Sequence, residues 1–500
     1  MKLISVVVLL NGLFSFSFSQ TLDRPGDQFP WVTNNGAYCW YQDPRAIYHK
    51  GSFEKTYLGF IDNSGTVRVW SYNHENEETE QSTLHDRLEY DDHDAPSLFV
   101  RNDGRIIAFY SRHTTDRFLF YRTTAVYENA ANWDREVTLT LPENVTYSHA
   151  FHLSNENRTY LFTRCVAWHP TMLRSDDNGA TWGSTEQFVG GGGARPYAKF
   201  VSDAESRIHL SFTDGHPRDE PTNSIYYAYY ENGQLHRADG TVIKDEDHLP
   251  LEPYEAEKVY DGRTEGKAWI WDIALDAQKR PVLVFAVFPD DNNHHYYYAR
   301  WTGTEWFMND LVNAGRWFPQ TPGGATEREP NYSPGISLDH GDPSIVYMSR
   351  FIDGQCEIEQ WTTADGGDTW DTLAITSGSS KRNVRPIVAW PRPYGTEKPA
   401  KKVLFWMYGD YVHYTDYSTG IKYCVLTDET ALSSCKTGMC HGTSAGSEME
   451  IFSISGKRIR QVGGKKPFGS GTAFPPGIFI MRNGRMVRRI ETCSGRNPLR

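Results

Sequence analysis

Short runs in which apolar and polar residues alternate recur along most of the chain, and turn residues separate them. Residues 97–100 and 106–110 flank Asn102-Asp103-Gly104, and residues 224–230 precede Asn232-Gly233. Alternation with a period of two places apolar side chains on one face of a strand, and Asp-Gly and Asn-Gly pairs favour tight turns. Almost no segment has the period of an amphipathic helix. The pattern therefore predicts an all-β protein built from hairpins.

One predicted hairpin, residues 194–218, brings chemically interesting side chains together. Residues i and i+2 of a strand share a face, so Arg195, Tyr197 and Lys199 are expected to point the same way. The Asp-Gly turn places His216 at the end of the hairpin. A cation, a phenol and an imidazole then converge. The alternative is a solvated strand face with a turn histidine.

Two nearly identical motifs indicate that the hairpins belong to larger repeats. Residues 175–182 and 363–370 both fit S/T-x-D-x-G-x-T-W. Asp and Gly form the tight turn, and Trp fills the space between neighbouring sheets, as in the stacked sheets of a β-propeller. Residues 20–440 divided among seven blades give about 60 residues per blade, and six blades give about 70. We predict a seven-bladed β-propeller, with six blades as the less favoured count.

The two ends of the chain differ from this repeat. Residues 1–19 combine Lys2, an apolar run and small residues, as a secretory signal peptide does. Over residues 441–500, Lys and Arg outnumber Asp and Glu by 11 to 3, and the pattern fits two short hairpins. The sequence predicts a signal peptide (1–19), a propeller (20–440) and a small C-terminal β module (441–500), in a protein that is secreted or held at the cell surface.

Composition narrows the classes of partner. The net charge of −12 argues against nucleic-acid binding, although a local group of Arg and Lys still allows an anionic substrate. After the signal, no apolar run reaches the length of about 18 residues that a membrane span needs, so a soluble exported product is expected. The seven cysteines form no CxxC metal pattern, and Cys435 with Cys440 is the predicted disulfide pair.

Five phrases along the repeats carry a family resemblance. They are Trp-Tyr-Gln-Asp-Pro-Arg-Ala (40–46), Phe-Tyr-Ser-Arg-His (109–113), Arg-Pro-Tyr (195–197), Thr-Asp-Gly-His-Pro (213–217) and Trp-Ile-Trp-Asp (269–272). With them, residues 31–417 resemble the BNR-repeat propellers that include ulvan lyases and rhamnose–glucuronate lyases. In addition, Ile454-Ser-Gly-Lys-Arg458 and Pro476-Gly-Ile-Phe-Ile-Met481 resemble the C-terminal sorting domain of type IX secretion cargo. The resemblance implies export by that machinery.

The same resemblance implies a catalytic set. The lyases use a histidine, a tyrosine and an arginine on one propeller face to cleave uronic-acid linkages, and His113 and Arg195 match the histidine and the arginine. The family's tyrosine precedes its arginine, but residues 174–194 contain no Tyr. Tyr197 or His149 is therefore the expected partner.

The chemistry fits these residue types. Arginine neutralises a carboxylate without titrating, and histidine or tyrosine moves the proton. The predicted substrate contacts are Lys199, His216, His295 and Arg385.

These observations predict a lyase that acts by β-elimination on an anionic, rhamnose-containing polysaccharide of the ulvan type. It is expected to be a monomer and to require no cofactor, and loop carboxylates and histidines leave room for a structural divalent cation. A glycoside hydrolase of rhamnosidase or glucuronidase type would need two carboxylates. Its candidates are Asp43, Asp94, Asp214 and Asp272, and a sialidase would use Arg45, Arg195 and Arg385. A non-catalytic carbohydrate-binding propeller is the remaining alternative.

Overall fold

A computed structural model describes residues 22–318, 330–392 and 399–427, and four further strands between residues 449 and 490. The predicted signal peptide, the boundary at residue 440 and the Cys435–Cys440 pair lie outside these residues. The chain divides into two compact units, residues 1–435 and 436–500. Among the described residues, the four cysteines of the first unit are buried and unpaired. No helix in the described part of the chain is long and apolar enough to cross a membrane.

Seven sheets follow one another along the first unit and form the blades of a propeller. Blade 1 contains β2 (Ala46–Lys50), β3 (Glu54–Ile61), β4 (Val67–Asn73) and β5 (Thr79–His85). Blade 2 contains β6 (Ser97–Val100), β7 (Ile106–Ser111), β8 (Phe118–Thr123) and β9 (Val137–Thr140). Blade 3 contains β10 (Thr146–Leu153), β11 (Arg158–Arg164), β12 (Pro170–Ser175) and β13 (Glu186–Gln187).

The remaining blades continue this order, with two extra strands in blade 4. Blade 4 contains β14 (Ala198–Ser202), β15 (Arg207–Thr213), β16 (Ile225–Glu231), β17 (Gln234–His236), β18 (Val242–Asp245) and β19 (Glu257–Tyr260). Blade 5 contains β20 (Lys267–Leu275), β21 (Pro281–Phe288), β22 (His294–Trp301) and β23 (Trp306–Gly315). Blade 6 contains β24 (Ile336–Leu338), β25 (Ile345–Ile352), β26 (Gln355–Thr362) and β27 (Asp371–Ala374).

Blade 7 joins the two ends of the ring. It contains β28 (Arg382–Val388), β30 (Lys401–His413), β31 (Asp416–Thr427) and, as its outermost strand, β1 (Trp31–Thr33). The short strand β29 (Trp390–Arg392) runs parallel to β2 of blade 1. The predicted seven-bladed, all-β propeller is confirmed.

Short 3-10 turns interrupt four of the loops. They are Gly26–Gln28, Asp92–Asp94, Val166–Trp168 and Glu246–His248. Two of them, Asp92–Asp94 and Val166–Trp168, carry residues of the candidate site described below. The second unit is a four-stranded sheet of β32 (Met449–Ser453), β33 (Arg458–Val462), β34 (Ile478–Arg482) and β35 (Arg485–Ile490), in the order β33-β32-β34-β35. Its two hairpins confirm the predicted β module.

The repeated motif plays the structural role that its pattern predicts. Asp177 accepts hydrogen bonds from the backbone and hydroxyl of Thr181 at 2.8 and 2.6 Å, which closes the turn. Trp182 of blade 3 packs against Phe109 of blade 2, with ring centroids 5.7 Å apart. Trp370, in the second copy, contacts Tyr298 of the preceding blade in the same way, at 5.1 Å. The tryptophans therefore fill the space between neighbouring blades.

The hairpin of residues 194–218 forms, but its side chains do not share one face as predicted. Strand β14 begins only at Ala198, because Pro196 and the glycine loop before it leave the strand geometry. Arg195 is exposed ahead of the strand, whereas Lys199 lies inside the ring and is fully buried. The period of two therefore does not extend back to Arg195.

Buried histidines make the propeller sensitive to acid. Burial lowers the pKa of four imidazoles to about 3 or 4, namely His74, His149, His209 and His294. Below about pH 6.5 the unfolded chain binds protons at these imidazoles, whereas the folded chain does so only near pH 3 to 4. The free energy of unfolding is therefore highest above about pH 6.5 and decreases as the pH falls.

We expect the midpoint temperature of thermal unfolding to be lower at pH 5 than at pH 7. Each of these histidines is expected to remove about 2 kcal/mol of unfolding free energy at pH 5. Thermal unfolding followed at pH 7, 6 and 5 measures it. His209→Gln, which removes one of the four groups, should flatten the dependence. Equal midpoints at pH 7 and pH 5 in the unmodified protein would contradict the expectation.

Candidate active site

Loops from several blades meet at one end of the ring. In each blade the start of the first strand and the end of the second lie at the same end, because the strands are antiparallel. The loops that precede the first strands of blades 1, 2 and 4 contain residues 38–45, 91–94 and 195–197. The ends of the second strands of blades 2 and 3 lead into residues 112–114 and 164–168. These loops build one continuous cluster of polar and aromatic side chains.

Two stacked imidazoles in the cluster share one carboxylate. The rings of His93 and His113 lie 3.8 Å apart and within 10° of parallel. The two oxygens of Asp91 contact Nδ1 of His93 at 2.6 Å and Nδ1 of His113 at 2.9 Å. We assign the hydrogen of each ring to Nδ1, because a carboxylate only accepts. Nε2 of a neutral His113 then carries the lone pair.

The two imidazoles differ in charge. Burial and the neighbouring charge of His93 hold the pKa of His113 below its usual value, against the pull of Asp91. Burial also disfavours a charged His93, but the carboxylate of Asp91 at 2.6 Å opposes it, and the pKa of His93 is raised well above its usual value. The pair therefore combines a neutral imidazole with a protonated one at neutral pH.

A buried arginine faces this pair without an acidic partner. Arg164, at the end of β11, donates from Nε to the carbonyl of Trp168 at 2.9 Å, and its guanidinium lies 4.1 Å from the centre of the Tyr197 ring. Among the described residues it forms no ion pair, and one of its Nη atoms is buried without a hydrogen-bond partner. A buried cation with no counter-charge is costly, so this position favours an anionic ligand.

Tyr147 completes the set. It occupies the irregular start of β10 with a φ of 61° and is buried between Tyr41 and His93, at ring distances of 5.4 and 5.7 Å. Burial raises the pKa of its phenol well above 10, although His93 and Arg164 act in the opposite direction. The phenol is therefore protonated and able to donate a proton.

An aromatic wall borders the cluster on the side of blades 4 and 5. His216 packs on Trp269 at 4.4 Å, and Tyr197 contacts both rings at 5.7 and 5.5 Å. The pKa of His216 is held well below its usual value by burial and by the cations Arg218, Arg164, Lys267 and Arg195. Arg218 pairs with Asp219, whereas Arg164 and Arg195 form no ion pair with the described residues. These two arginines are therefore the cations that an anionic ligand could meet here.

The floor of the cluster is built from tryptophans and buried ion pairs. Trp40 stacks on Trp271 at 4.4 Å and meets Trp269 edge to face at 5.0 Å. Beneath it, Lys199 of blade 4 donates to Asp43 and to the Trp40 carbonyl, and so ties blade 4 to the loop before blade 1. The floor is dense and fully desolvated.

Three predicted site residues are structural. Lys199 is buried in its ion pair with Asp43, so it does not reach a substrate. Arg385 is buried and donates to Asp92, to the carbonyl of Tyr38 and to the hydroxyl of Tyr411. His149 is buried against Phe200 at 5.2 Å, and burial holds its pKa at about 3, so it is neutral and remote from solvent. Lys199 and Arg385 are already engaged in buried ion pairs, and His149 is buried in the propeller, so none of the three is assigned a role in the function proposed below.

The other predicted residues lie at the surface of the propeller or in the cluster. His113 and Tyr197 belong to the cluster, and His216 lies in its aromatic wall. Arg195 is exposed at the rim, with its guanidinium 4.9 Å from the centre of the Trp168 ring. His295 pairs with Asp310 at 2.8 Å on β22, and no contact joins it to the described cluster.

The sequence analysis missed four residues of the cluster: Asp91, His93, Tyr147 and Arg164. The available signal was position in the repeat. Arg164 ends the second strand of blade 3, and His113 closely follows the end of the second strand of blade 2. Tyr147 lies at the start of the first strand of blade 3, near the position that Tyr197 has in blade 4. Tyr147 also precedes Arg164, which is the order that the resemblance implied.

In the part of the chain that the structure describes, two groups of side chains have the spacing to hold a metal ion. Ligand atoms of Asp91, His93 and His113, and those of Cys39, Asp92 and His93, lie within 4.8 Å of one another. Imidazole, thiolate and carboxylate would suit Zn²⁺. However, both Nδ1 atoms of the stacked pair already meet Asp91 at hydrogen-bond distance.

We therefore expect the activity proposed below to survive exhaustive treatment with a chelator, since Asp91 contacts Nδ1 of both rings at hydrogen-bond distance. Turnover is measured before and after dialysis against EDTA. Loss of turnover that returns with Zn²⁺ but not with Ca²⁺ would instead place a metal at one of the two groups.

Comparison with known proteins decides the family. Residues 55–314, just over half of the chain, match the BNR repeat-containing family. The chain belongs to this family. The BNR part of the predicted resemblance is thus confirmed, and the type IX sorting role of the C-terminal module stays a prediction. No curated protein sequence matched the chain.

The BNR propeller is also similar to solved structures. An ulvan lyase, presented as a new family of polysaccharide lyase, gives a TM-score of 0.57 at 17% identity and covers 80% of this chain and 94% of its own. The structure of such an ulvan lyase bound to -[GlcA(1-4)Rha3S]- gives a TM-score of 0.56 with the same identity and coverage. At this identity the likeness concerns the fold.

Proposed function

We propose that this BNR propeller is a polysaccharide lyase that cleaves uronic-acid linkages by β-elimination. The observation that carries the proposal is the buried guanidinium of Arg164, which has no ion-pair partner among the described residues and lies within the cluster that holds Tyr147 and His113. A uronate carboxylate would supply the missing negative charge. The cations near His216 favour the same class of ligand.

The cluster provides each role that the elimination requires. Arg164 binds the carboxylate and stabilises the negative charge that develops when the C5 proton leaves. Nε2 of the neutral His113 takes that proton, and Asp91 holds the ring in place. The electrons of the C5–H bond form the C4–C5 double bond, the bond from C4 to the glycosidic oxygen breaks, and Tyr147 protonates the leaving oxygen.

The described carboxylates do not favour a hydrolase. Each of the four candidates for a catalytic pair is already engaged or buried. Asp43 pairs with Arg45 and Lys199, Asp272 with His340, and Asp214 accepts from Ser224 and Tyr226, while Asp94 is buried with a pKa raised well above its usual value. A sialidase-type arginine triad is disfavoured as well, because Arg45 and Arg385 are buried in ion pairs.

The proposed substrate is an anionic polysaccharide that contains rhamnose and uronic acid, of the ulvan type. The fold shared with ulvan lyases supports this choice, and secretion through the predicted signal peptide would bring the enzyme to such a glycan. A panel of uronic-acid polysaccharides tests the proposal by absorbance of the new double bond in the ultraviolet. A rise supports elimination. New reducing ends without absorbance would show hydrolysis, and retention on the glycan with neither signal would show a binding propeller.

A further inference from the structure

An exposed tryptophan, Trp168, lies beside the cluster. Trp168 is 38% exposed, and both it and Ala167 have left-handed backbone conformations, with φ of 64° and 51°. Such conformations are unfavourable for residues other than glycine, and they persist where the surroundings impose them. The fold therefore keeps this partly exposed aromatic ring in place in spite of an unfavourable backbone conformation.

Hydrogen bonds fix this turn to the candidate active site. The backbone N–H of Trp168 donates to the Cys165 carbonyl at 2.9 Å, and that of Ala167 donates to Glu143 at 2.9 Å. The carbonyl of Trp168 accepts from Nε of Arg164 at 2.9 Å. The guanidinium carbon of Arg164 also lies 5.8 Å from the centre of the Trp168 ring. The indole therefore adjoins the residue that would bind the proposed uronate.

A second cation accompanies the indole. The guanidinium of Arg195 lies 4.9 Å from the centre of the Trp168 ring, and Arg195 is exposed and forms no ion pair with the described residues. The loop before it contains Gly192 and Gly193, where an added Cβ would meet no atom within 4 Å. Open space therefore lies beside the loop that leads into Arg195.

We propose that Trp168 and Arg195 form a subsite for the sugar next to the cleaved bond, which carries an anionic group. This inference rests on the proposed function. The indole would stack on the apolar C–H face of the ring, and the guanidinium would pair with a sulfate ester or a carboxylate. Arg164 acts on the reacting uronate, whereas this subsite would select the neighbouring residue of the chain.

The test separates binding from turnover. Trp168→Ala, Trp168→Phe and Arg195→Ala are compared with Tyr254→Ala, which removes an aromatic ring that is 83% exposed on another loop. Steady-state kinetics on ulvan give KM and kcat, and calorimetry gives affinity for ulvan in a His113→Asn background. Native ulvan, chemically desulfated ulvan and an unsulfated polyglucuronate form the substrate arms.

We expect Trp168→Ala and Arg195→Ala to raise KM about 10-fold and to change kcat little, since stacking and a charge contact act on binding. Trp168→Phe should recover most of the affinity, and Tyr254→Ala should match the unmodified protein. If Arg195 binds a sulfate, the rise in KM caused by Arg195→Ala disappears on desulfated ulvan. If Arg195 binds a carboxylate, the same rise in KM persists on the polyglucuronate.

The outcomes distinguish the two proposals. Unchanged KM and affinity in Trp168→Ala and Arg195→Ala, with normal turnover, would overturn the subsite alone. A fall in thermal midpoint without a rise in KM would assign Trp168 a structural role and also overturn it. Weaker ulvan binding by these variants, in a protein that produces no double bond, would support the subsite and overturn the lyase function. No binding to any of the three polymers would count against both.

Discussion

Arg164→Ala is expected to lower kcat on the preferred polyuronate by about 10³-fold, the loss seen when a group that stabilises a developing oxyanion is removed. The reason is that no other described cation lies over the Tyr197 ring beside Tyr147 and His113. Arg164→Lys keeps a positive charge but loses the planar fork, so we expect an intermediate loss.

The measurement is the initial rate of ultraviolet absorbance at saturating substrate. Arg174→Ala is the matched control, because Arg174 is an arginine of the same blade that pairs with Glu186 and Glu246 away from the cluster. Thermal unfolding of each variant shows whether the fold is kept. A folded Arg164→Ala protein with the rate of the unmodified chain would refute the assignment.

Tyr147→Phe and His113→Asn should each lower kcat by about 10²–10⁴-fold, the usual contribution of a positioned acid or base. Phenylalanine keeps the ring that packs against Tyr41 and His93, so the change removes only the proton donor. Asparagine keeps polarity at position 113 but has no basic nitrogen. Because burial and His93 lower the pKa of His113, the acidic limb of kcat/KM should lie below about pH 6.5.

Initial rates across pH 5–9 check these expectations. Tyr121→Phe and His152→Asn serve as controls, since neither residue belongs to the cluster, and His152 lies towards the opposite end of strand β10. Asp91→Asn is expected to shift the acidic limb, as Asp91 positions both imidazoles. Full activity in Tyr147→Phe would remove the phenol from the mechanism and leave the leaving-group proton to another donor.

The fold followed from the sequence because its signals are local. Runs of alternating apolar and polar residues, Asp-Gly and Asn-Gly turn pairs and the two S/T-x-D-x-G-x-T-W motifs each act within a few residues. Together they determine where the strands of the blades begin and end. The motifs at Asp177 and Asp365 fall in blades 3 and 6, three repeats apart.

The site was only partly predictable because its members meet across blades. His113 was found, but Arg164 was passed over in favour of Arg195, whose Arg-Pro-Tyr phrase is the more conspicuous in sequence. Burial separates the two: Arg164 is enclosed and pairs with none of the described carboxylates, and Arg195 is exposed at the rim. Burial depends on how blades 3 and 4 pack, and no local pattern encodes it. The same limit explains why Lys199 was taken for a substrate contact.

The way blade 7 is assembled has a consequence for biogenesis. Strand β1 pairs with β31, so residues about 390 positions apart must find each other before the ring is complete. During synthesis β1 leaves the ribosome long before β31, so its backbone hydrogen-bonding groups lack their partner strand, and unpaired strands invite pairing with other chains. A holding factor that keeps the nascent polypeptide apart from its neighbours until residue 427 has emerged would therefore protect it at its most vulnerable stage.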